Sequence, residues 1–156
     1  MPSTVAFQWL TPVFTIFGGI AIFIVSQIVL KLVIEPVQQF KNAIGLTANS
    51  LLRHQAKIIN GVEDDELSGK MLDHAAELIS KAEVITVYNL AALAFQLPSR
   101  GDVVKAAKEL IGIGNHMRDK RPPGNYVPNQ PSALYAIKNS DSLEKLEKLL
   151  KVKTVI

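Results

Sequence analysis

Residues 1–30 contain no charged side chain, and this run limits the folds open to the 156-residue chain more than any other feature. Between Val13 and Leu30 the only plainly polar side chains are those of Thr15, Ser26 and Gln27. A helix of this length rises about 27 Å, close to the roughly 30 Å hydrocarbon core of a bilayer. Because a helix satisfies its own backbone polar groups in lipid, the run predicts a transmembrane helix.

The residues on either side of the run fit the same prediction. Thr11 is placed to cap the helix and Pro12 to occupy its first turn, where the missing N–H costs nothing. Trp9 lies where an interfacial aromatic anchor belongs. The apolar residues 32–34 extend the span, because the Lys31 side chain reaches back to the headgroups.

Two other interpretations of the run remain open. A buried core helix is one, although 18 to 22 apolar residues make a long core helix. A cleaved signal peptide is the other. It requires a basic start and a small-residue cleavage site, and residues 1–12 contain no Lys or Arg, while no A-x-A pattern follows the run.

Positive charge follows the span and is absent before it. Residues 31–60 carry four cations against Glu35, whereas only the terminal amine precedes the run. The positive-inside rule therefore predicts an outer N-terminus and a cytoplasmic C-terminal domain. The same cations are candidate contacts for anionic lipid, with a role in topology alone as the alternative. They are Lys31, Lys41, Arg53 and Lys57.

Helical patterns dominate the rest of the chain, and no convincing strand pattern occurs. Apolar residues recur at helical spacing along Val37–Ile59, which predicts an amphipathic helix with a face for docking on another helix or on the bilayer. Pro36 predicts a kink or a new helix start. The acidic stretch "VEDDELSG" predicts the N-terminus of the next helix.

The segment Val84–Leu97 is apolar on all sides and too short to span a bilayer. A helix of that kind is usually buried, so it is predicted to form the core of the domain, with a re-entrant or interfacial segment as the alternative. Ser99 and Asp102 predict a capped helix that follows it.

Four of the eight prolines cluster between residues 119 and 139, which predicts a loop. Asp141 and Glu144 predict the cap of a last, basic helix within residues 140–156. The predicted fold class is therefore all-α, with a single N-terminal transmembrane helix followed by a small cytoplasmic helical bundle. Residues 1–35 form the outer terminus and the span, and residues 36–118 form the helical domain.

The pattern resembles a group of uncharacterised bacterial single-pass inner-membrane proteins with a cytoplasmic helical domain. The resemblance rests on the N-terminal span, "IEPVQQFKNAIG", the acidic helix and "LPSRGDVVKAAKELIGIGN". It covers about residues 15–118. It implies a location in the bacterial inner membrane, and it supplies no activity, cofactor or catalytic residue.

No motif for catalysis, a cofactor or a metal emerges, so we predict that the chain is not an enzyme. It has no cysteine, and its three histidines are not spaced as metal ligands. Asp73, His74 and Glu77 are interpreted as a solvated face, and Glu63–Glu66 lacks the spacing of a calcium loop. Thr15, Gly19 and Ser26 form a candidate small-residue seam for helix pairing. The basic tail lacks a nucleic-acid signature, so no nucleic-acid partner is predicted.

These features predict a membrane-anchored helical scaffold or accessory subunit. Its partners would be the lipid bilayer and either another protein or a second copy, bound through helical faces. The alternative is a membrane-active effector or small pore former, which would use the same span and the apolar Val84–Leu97 segment.

Overall fold

The structure is a computed structural model that describes residues 5–118 and 131–152, with side chains for residues 12–118 and 135–152. Every regular element among the described residues is a helix, so the all-α prediction is confirmed. In chain order the helices are α1 (Val5–Val29), a π-helical turn (Leu30–Ile34), α2 (Glu35–Ile59), α3 (Asp65–Val84), α4 (Tyr88–Phe95), α5 (Arg100–Arg118) and α6 (Pro131–Leu150).

The first three elements form one continuous rod, which we call the long helix. It is unbroken from Pro12 to Ile59, 48 residues, or about 72 Å. The helix continues through Pro36, so the predicted new helix start is wrong, and the predicted kink stays a prediction. The π-helical turn directly before Pro36 explains how the helix continues. The backbone N–H of Glu35 donates to the carbonyl oxygen of Leu30, five residues back. This wider turn makes room for a proline that lacks an N–H and crowds the preceding turn.

The predicted start of α3 is confirmed. Asp64 is its N-cap, and the carboxylate accepts a hydrogen bond of 2.9 Å from the backbone N–H of Leu67. Asp65 and Glu66 fill the first turn, where the helix dipole favours negative charge. The acidic stretch is therefore accounted for by helix capping.

The predicted single apolar helix over Val84–Leu97 is wrong. α3 continues to Val84, the chain bends by 106°, and the short α4 follows. Four residues of the segment are buried in the core, namely Ile85, Tyr88, Ala91 and Leu97, and its other residues are partly or fully exposed. The segment is therefore not buried on all sides. The cap of α5 was predicted correctly, because Ser99 Oγ accepts from the N–H of Asp102 at 3.1 Å.

Helix α6 begins at Pro131, nine residues before the predicted start at residue 140. Asp141 and Glu144 consequently lie inside it and do not cap it. Each pairs with a lysine one turn on, at 2.6 Å to Lys145 and 2.7 Å to Lys148. Residues 119–130 of the predicted loop lie outside the described residues.

The core lies between α2, α3, α5 and α6. Its centre is formed by large side chains with essentially no exposure, namely Phe40, Leu51, Ile58, Met71, Leu78, Ile85, Leu110, Ile113, Met117, Leu143, Leu146 and Leu150. α3 and α5 pack most closely: the Cβ that an alanine would add at Gly114 lies 3.1 Å from the Ser68 carbonyl oxygen. The apolar stripe of α2 is confirmed, but it is buried within the chain's own bundle and is not a free docking face.

Candidate functional site

The most unusual surface of the molecule is the uncovered part of the long helix between Val13 and Leu32. Thirteen large apolar side chains there are exposed, with Phe14 and Ile22 each at 70%. Monomeric proteins in water rarely expose apolar patches of this size, so the segment is a candidate surface for contact with lipid or with another protein. The thirteen exposed side chains are those of Val13, Phe14, Ile16, Phe17, Ile20, Ile22, Phe23, Ile24, Val25, Ile28, Val29, Leu30 and Leu32.

Among the described residues, this is the one helix long and apolar enough to cross a membrane by itself. Its most apolar 18-residue window has a mean hydropathy of 2.4, and none of that window is buried. Helices α3 and α4 meet the same criterion only when they are taken together across their 106° bend. This criterion tests only the length and the composition of a helix.

One polar side chain within the span is satisfied locally. Ser26 Oγ donates to the carbonyl oxygen of Ile22 at 2.8 Å, one turn back along the same helix. This bond leaves no hydroxyl donor that must be paired with water, which suits a segment in hydrocarbon.

The four predicted lipid contacts, Lys31, Lys41, Arg53 and Lys57, are spread along the long helix, and all four side chains are exposed. At 1.5 Å per residue, Lys41 lies about 15 Å from Lys31 along the axis, whereas Arg53 and Lys57 lie about 33 and 39 Å from it. On a long helix perpendicular to a bilayer, Lys31 and Lys41 therefore lie nearest to the span, and Arg53 and Lys57 lie farthest from it. Lipid contact by the set stays a prediction.

Lys57 has a protein partner at the far end of the rod. Its Nζ donates to Asp64 Oδ2 at 2.9 Å, which joins the end of α2 to the cap of α3. This hydrogen bond raises the pKa of Lys57. The pKa of Asp64 is lowered, first by the hydrogen bond from the Leu67 N–H and then by Lys57.

Two of the histidines occupy unrelated surroundings. Burial lowers the pKa of His74 on α3, and the nearby Glu77 and Asp73 oppose that shift. His116, at the end of α5, stacks on Tyr135 with ring centroids 4.7 Å apart. Within the described ranges, no three His, Cys, Asp or Glu side chains are grouped so that they could hold a metal ion.

A second apolar surface lies on α4, in the segment for which an interfacial position was the alternative interpretation of the sequence. Leu90 is 67% exposed and Leu93 is 81% exposed, although neighbouring Ala91 is buried. The signal was present, since no charged residue occurs from Val84 to Ser99. Composition alone could not show which side of this short helix the bundle covers.

No family model matches the chain, and no curated protein or solved structure matches it. The resemblance to bacterial single-pass proteins therefore stays a prediction.

Proposed function

We propose that this chain is a single-pass protein of the bacterial inner membrane and acts as a membrane-anchored helical scaffold or accessory subunit. The long helix would cross the bilayer with its N-terminus outside, and the bundle would lie in the cytoplasm. The uncovered apolar surface between Val13 and Leu32 supports the span. The cations that follow it support the orientation.

The observation that carries the proposal is the unbroken connection between span and bundle. Pro12–Ile59 is one helix, and its distal part is fixed in the core through Phe40, Leu51 and Ile58, each with no exposed surface. A flexible tether would leave the bundle free to rotate, whereas a continuous helix passes the tilt and depth of the span on to it. Such a construction suits a protein whose task is to hold a surface at a fixed place.

A partner would bind a surface other than the buried stripe of α2. The opposite face of α2 is exposed and presents short polar or small side chains at helical spacing, at Gln38, Asn42, Gly45 and Asn49. An added Cβ at Gly45 would meet nothing within 4 Å, so a second helix could approach closely there. We expect the partner, or a second copy, to contact this face.

The span is tested by Phe23→Arg, with Asn49→Arg on the same rod as the matched control. An arginine at the centre of a transmembrane helix costs about 2.5–3.5 kcal/mol in insertion experiments. We expect Phe23→Arg to move protein out of the carbonate-resistant membrane fraction and Asn49→Arg to leave it there. Wild-type protein that remains soluble after high-speed centrifugation without detergent would contradict the proposal.

Orientation and partner binding are tested with single cysteines, because the natural chain has none. In intact cells, a membrane-impermeant maleimide should label Ser3→Cys and should label Asn49→Cys only after lysis.

A photocrosslinker at Asn42 should capture a partner or a second copy, while one at Ile137 on α6 serves as the control. A monomer that forms no adduct at Asn42 in native membranes would count against the scaffold.

A further inference from the structure

Helix α4 lies at the end of the bundle from which the long helix emerges. Lys81, near the end of α3, donates to Gln39 Oε1 at 3.1 Å, so the end of α3 is level with the second turn of α2. Arg100 at the start of α5 pairs with Glu83 at 3.3 Å. α4 joins these two ends and therefore lies across this end of the bundle, at 106° to α3.

The end of α6 reaches the same place. Lys151 Nζ donates to the carbonyl oxygen of Leu97 at 3.4 Å, just after α4. Three helices therefore have one terminus beside α4, and its outer face is directed away from the core. This end of the bundle is the one that the proposed span would hold nearest to the bilayer.

α4 is held firmly, so its exposed side is part of the folded structure. Tyr88 is 3% exposed, its ring lies 6.1 Å from that of Phe40, and its hydroxyl donates to the Pro98 carbonyl at 2.7 Å. The guanidinium of Arg100 lies 5.1 Å from the Tyr88 ring. A left-handed residue, Gln96, with φ of 55°, ends the helix.

The outward side of α4 is apolar and is surrounded by charges of both signs. Leu93 and Leu90 lie opposite the buried Tyr88 and Ala91, and Val84 and Val87 extend the exposed surface to 59% and 43% exposure. Lys41 lies 5.8 Å from the Phe95 ring at one border. Other ionisable groups that the structure describes at this end include Lys81, Glu83, Arg100, Asp102 and Lys151.

In a bilayer crossed by the long helix, the distance along the rod would place this surface at headgroup depth. Phe40, which contacts α4, lies about 9 Å beyond Ile34, the last apolar residue of the predicted span. A helix with its side chains has a radius of about 5–6 Å, so the outer face of α4 lies a few ångströms from the hydrocarbon boundary. The interfacial layer adds about 5–7 Å on each side of the core.

We propose that α4 is an interfacial docking helix, with Leu90 and Leu93 inserted into the headgroup–acyl boundary of the bilayer that the long helix crosses. This inference rests on the proposed span. Short amphipathic helices bind in this way through buried apolar area and attraction of flanking cations to anionic lipid. The bundle would then be attached at two points, which fixes its rotation about the long helix as well as its depth.

The test uses full-length protein in vesicles of phosphatidylglycerol and phosphatidylcholine, with one bimane-labelled cysteine in each sample and lipids brominated at defined depths. Leu93→Cys probes α4. Ile137→Cys on α6 is the matched control, because Ile137 is 70% exposed and two residues from Asn139, which bonds to the far end of α2. Phe23→Cys reports on the span itself.

We expect strong quenching at Phe23→Cys by deep bromines and several-fold stronger quenching at Leu93→Cys than at Ile137→Cys by shallow bromines. Leu90→Asp introduced beside the labelled Leu93→Cys should abolish the shallow quenching and leave the span in place. An unquenched Phe23→Cys would overturn the proposed span. Quenched Phe23→Cys with unquenched Leu93→Cys would overturn the docking of α4 alone. So would disulfide-linked dimers formed by unlabelled Leu93→Cys under oxidising conditions.

Discussion

Close packing at one glycine brings α3 and α5 together. Gly114 is buried, and Ser68 Oγ donates to its carbonyl oxygen at 2.7 Å across the two helices. A glycine inside a helix costs up to about 1 kcal/mol relative to alanine, so the close approach must compensate for it. Gly112, two residues earlier, has nothing within 4 Å of an added Cβ and provides a natural comparison.

We predict opposite effects of alanine at these two positions. Gly114→Ala would place a methyl group 3.1 Å from the Ser68 carbonyl and 3.4 Å from Met71 Cβ, and should lower the free energy of unfolding by about 1–3 kcal/mol. Gly112→Ala should raise it by about 0.5–1 kcal/mol. Urea denaturation in detergent, followed by circular dichroism, measures both. Equal effects would show that α3 and α5 do not pack this closely.

The free energy of unfolding should depend on the ionisation of Asp64 at acidic pH. Its pKa is lowered in the folded state, so its contribution is complete above the unfolded value near 3.9 and is lost as the pH falls through the lower folded value. We predict a steeper loss of the denaturation midpoint below about pH 4 for the wild type than for Asp64→Asn. Asparagine still caps a helix but has no carboxylate to protonate. Identical pH profiles would contradict this role.

Lys57 should make the free energy of unfolding depend on pH at the alkaline end of the range. Its pKa is raised by Asp64, so the contribution is present below the unfolded value near 10.4 and is lost as the pH rises through the higher folded value. Both side chains are partly exposed, at 54% and 21%, so we expect salt to weaken the pair.

The buried side-chain amide of Asn139 joins three helices at the end of the bundle that is far from the span. Asn139 of α6 has no exposed surface; its Nδ2 donates to the Ile58 carbonyl at 2.9 Å, and its Oδ1 lies 2.8 Å from His116 Nδ1. The amide thus links α6 to the ends of α2 and α5. Polar groups buried in this way act as positional markers, because only one helix register satisfies them.

We predict that Asn139→Ala lowers the free energy of unfolding by about 1–3 kcal/mol, since its two hydrogen bonds, one buried and one partly buried, contribute roughly 0.5–1.5 kcal/mol each. Ser140→Ala, one residue on and exposed, should stay within about 0.5 kcal/mol of the wild type. Thermal or urea unfolding of the two variants in the same detergent measures the difference. A loss no greater than that of Ser140→Ala would remove Asn139 from this role.

The molecule as a whole joins an uncovered apolar rod to a packed bundle, and this arrangement bears on the membrane-active alternative. A pore needs polar groups along its length, and the span offers Thr15, Ser26 and Gln27, of which Ser26 bonds to its own backbone. We predict that vesicles containing the full-length chain hold a potassium diffusion potential as long as empty vesicles do. Rapid dissipation, measured with a voltage-sensitive dye, would favour the pore.

Helix content and the starts of α3 and α5 followed from the sequence because their causes are local. Charged residues are absent over 1–30, Asp64 and Ser99 cap within one turn, and the stripe of α2 repeats every three or four residues. Such effects act between neighbours along the chain. The early start of α6 was missed because prolines suggest a loop, although Pro131 stands at a helix start, where its missing N–H is not needed.

The sequence by itself determined that the chain is helical and that one helix has the length and apolarity to cross a bilayer. Only the tertiary structure decided which apolar residues are covered: Phe40 is buried and Leu93 is not, although both are large, apolar and helical. The physical reason is that burial depends on residues brought together from distant parts of the chain, whereas hydropathy and capping depend on residues within a few turns.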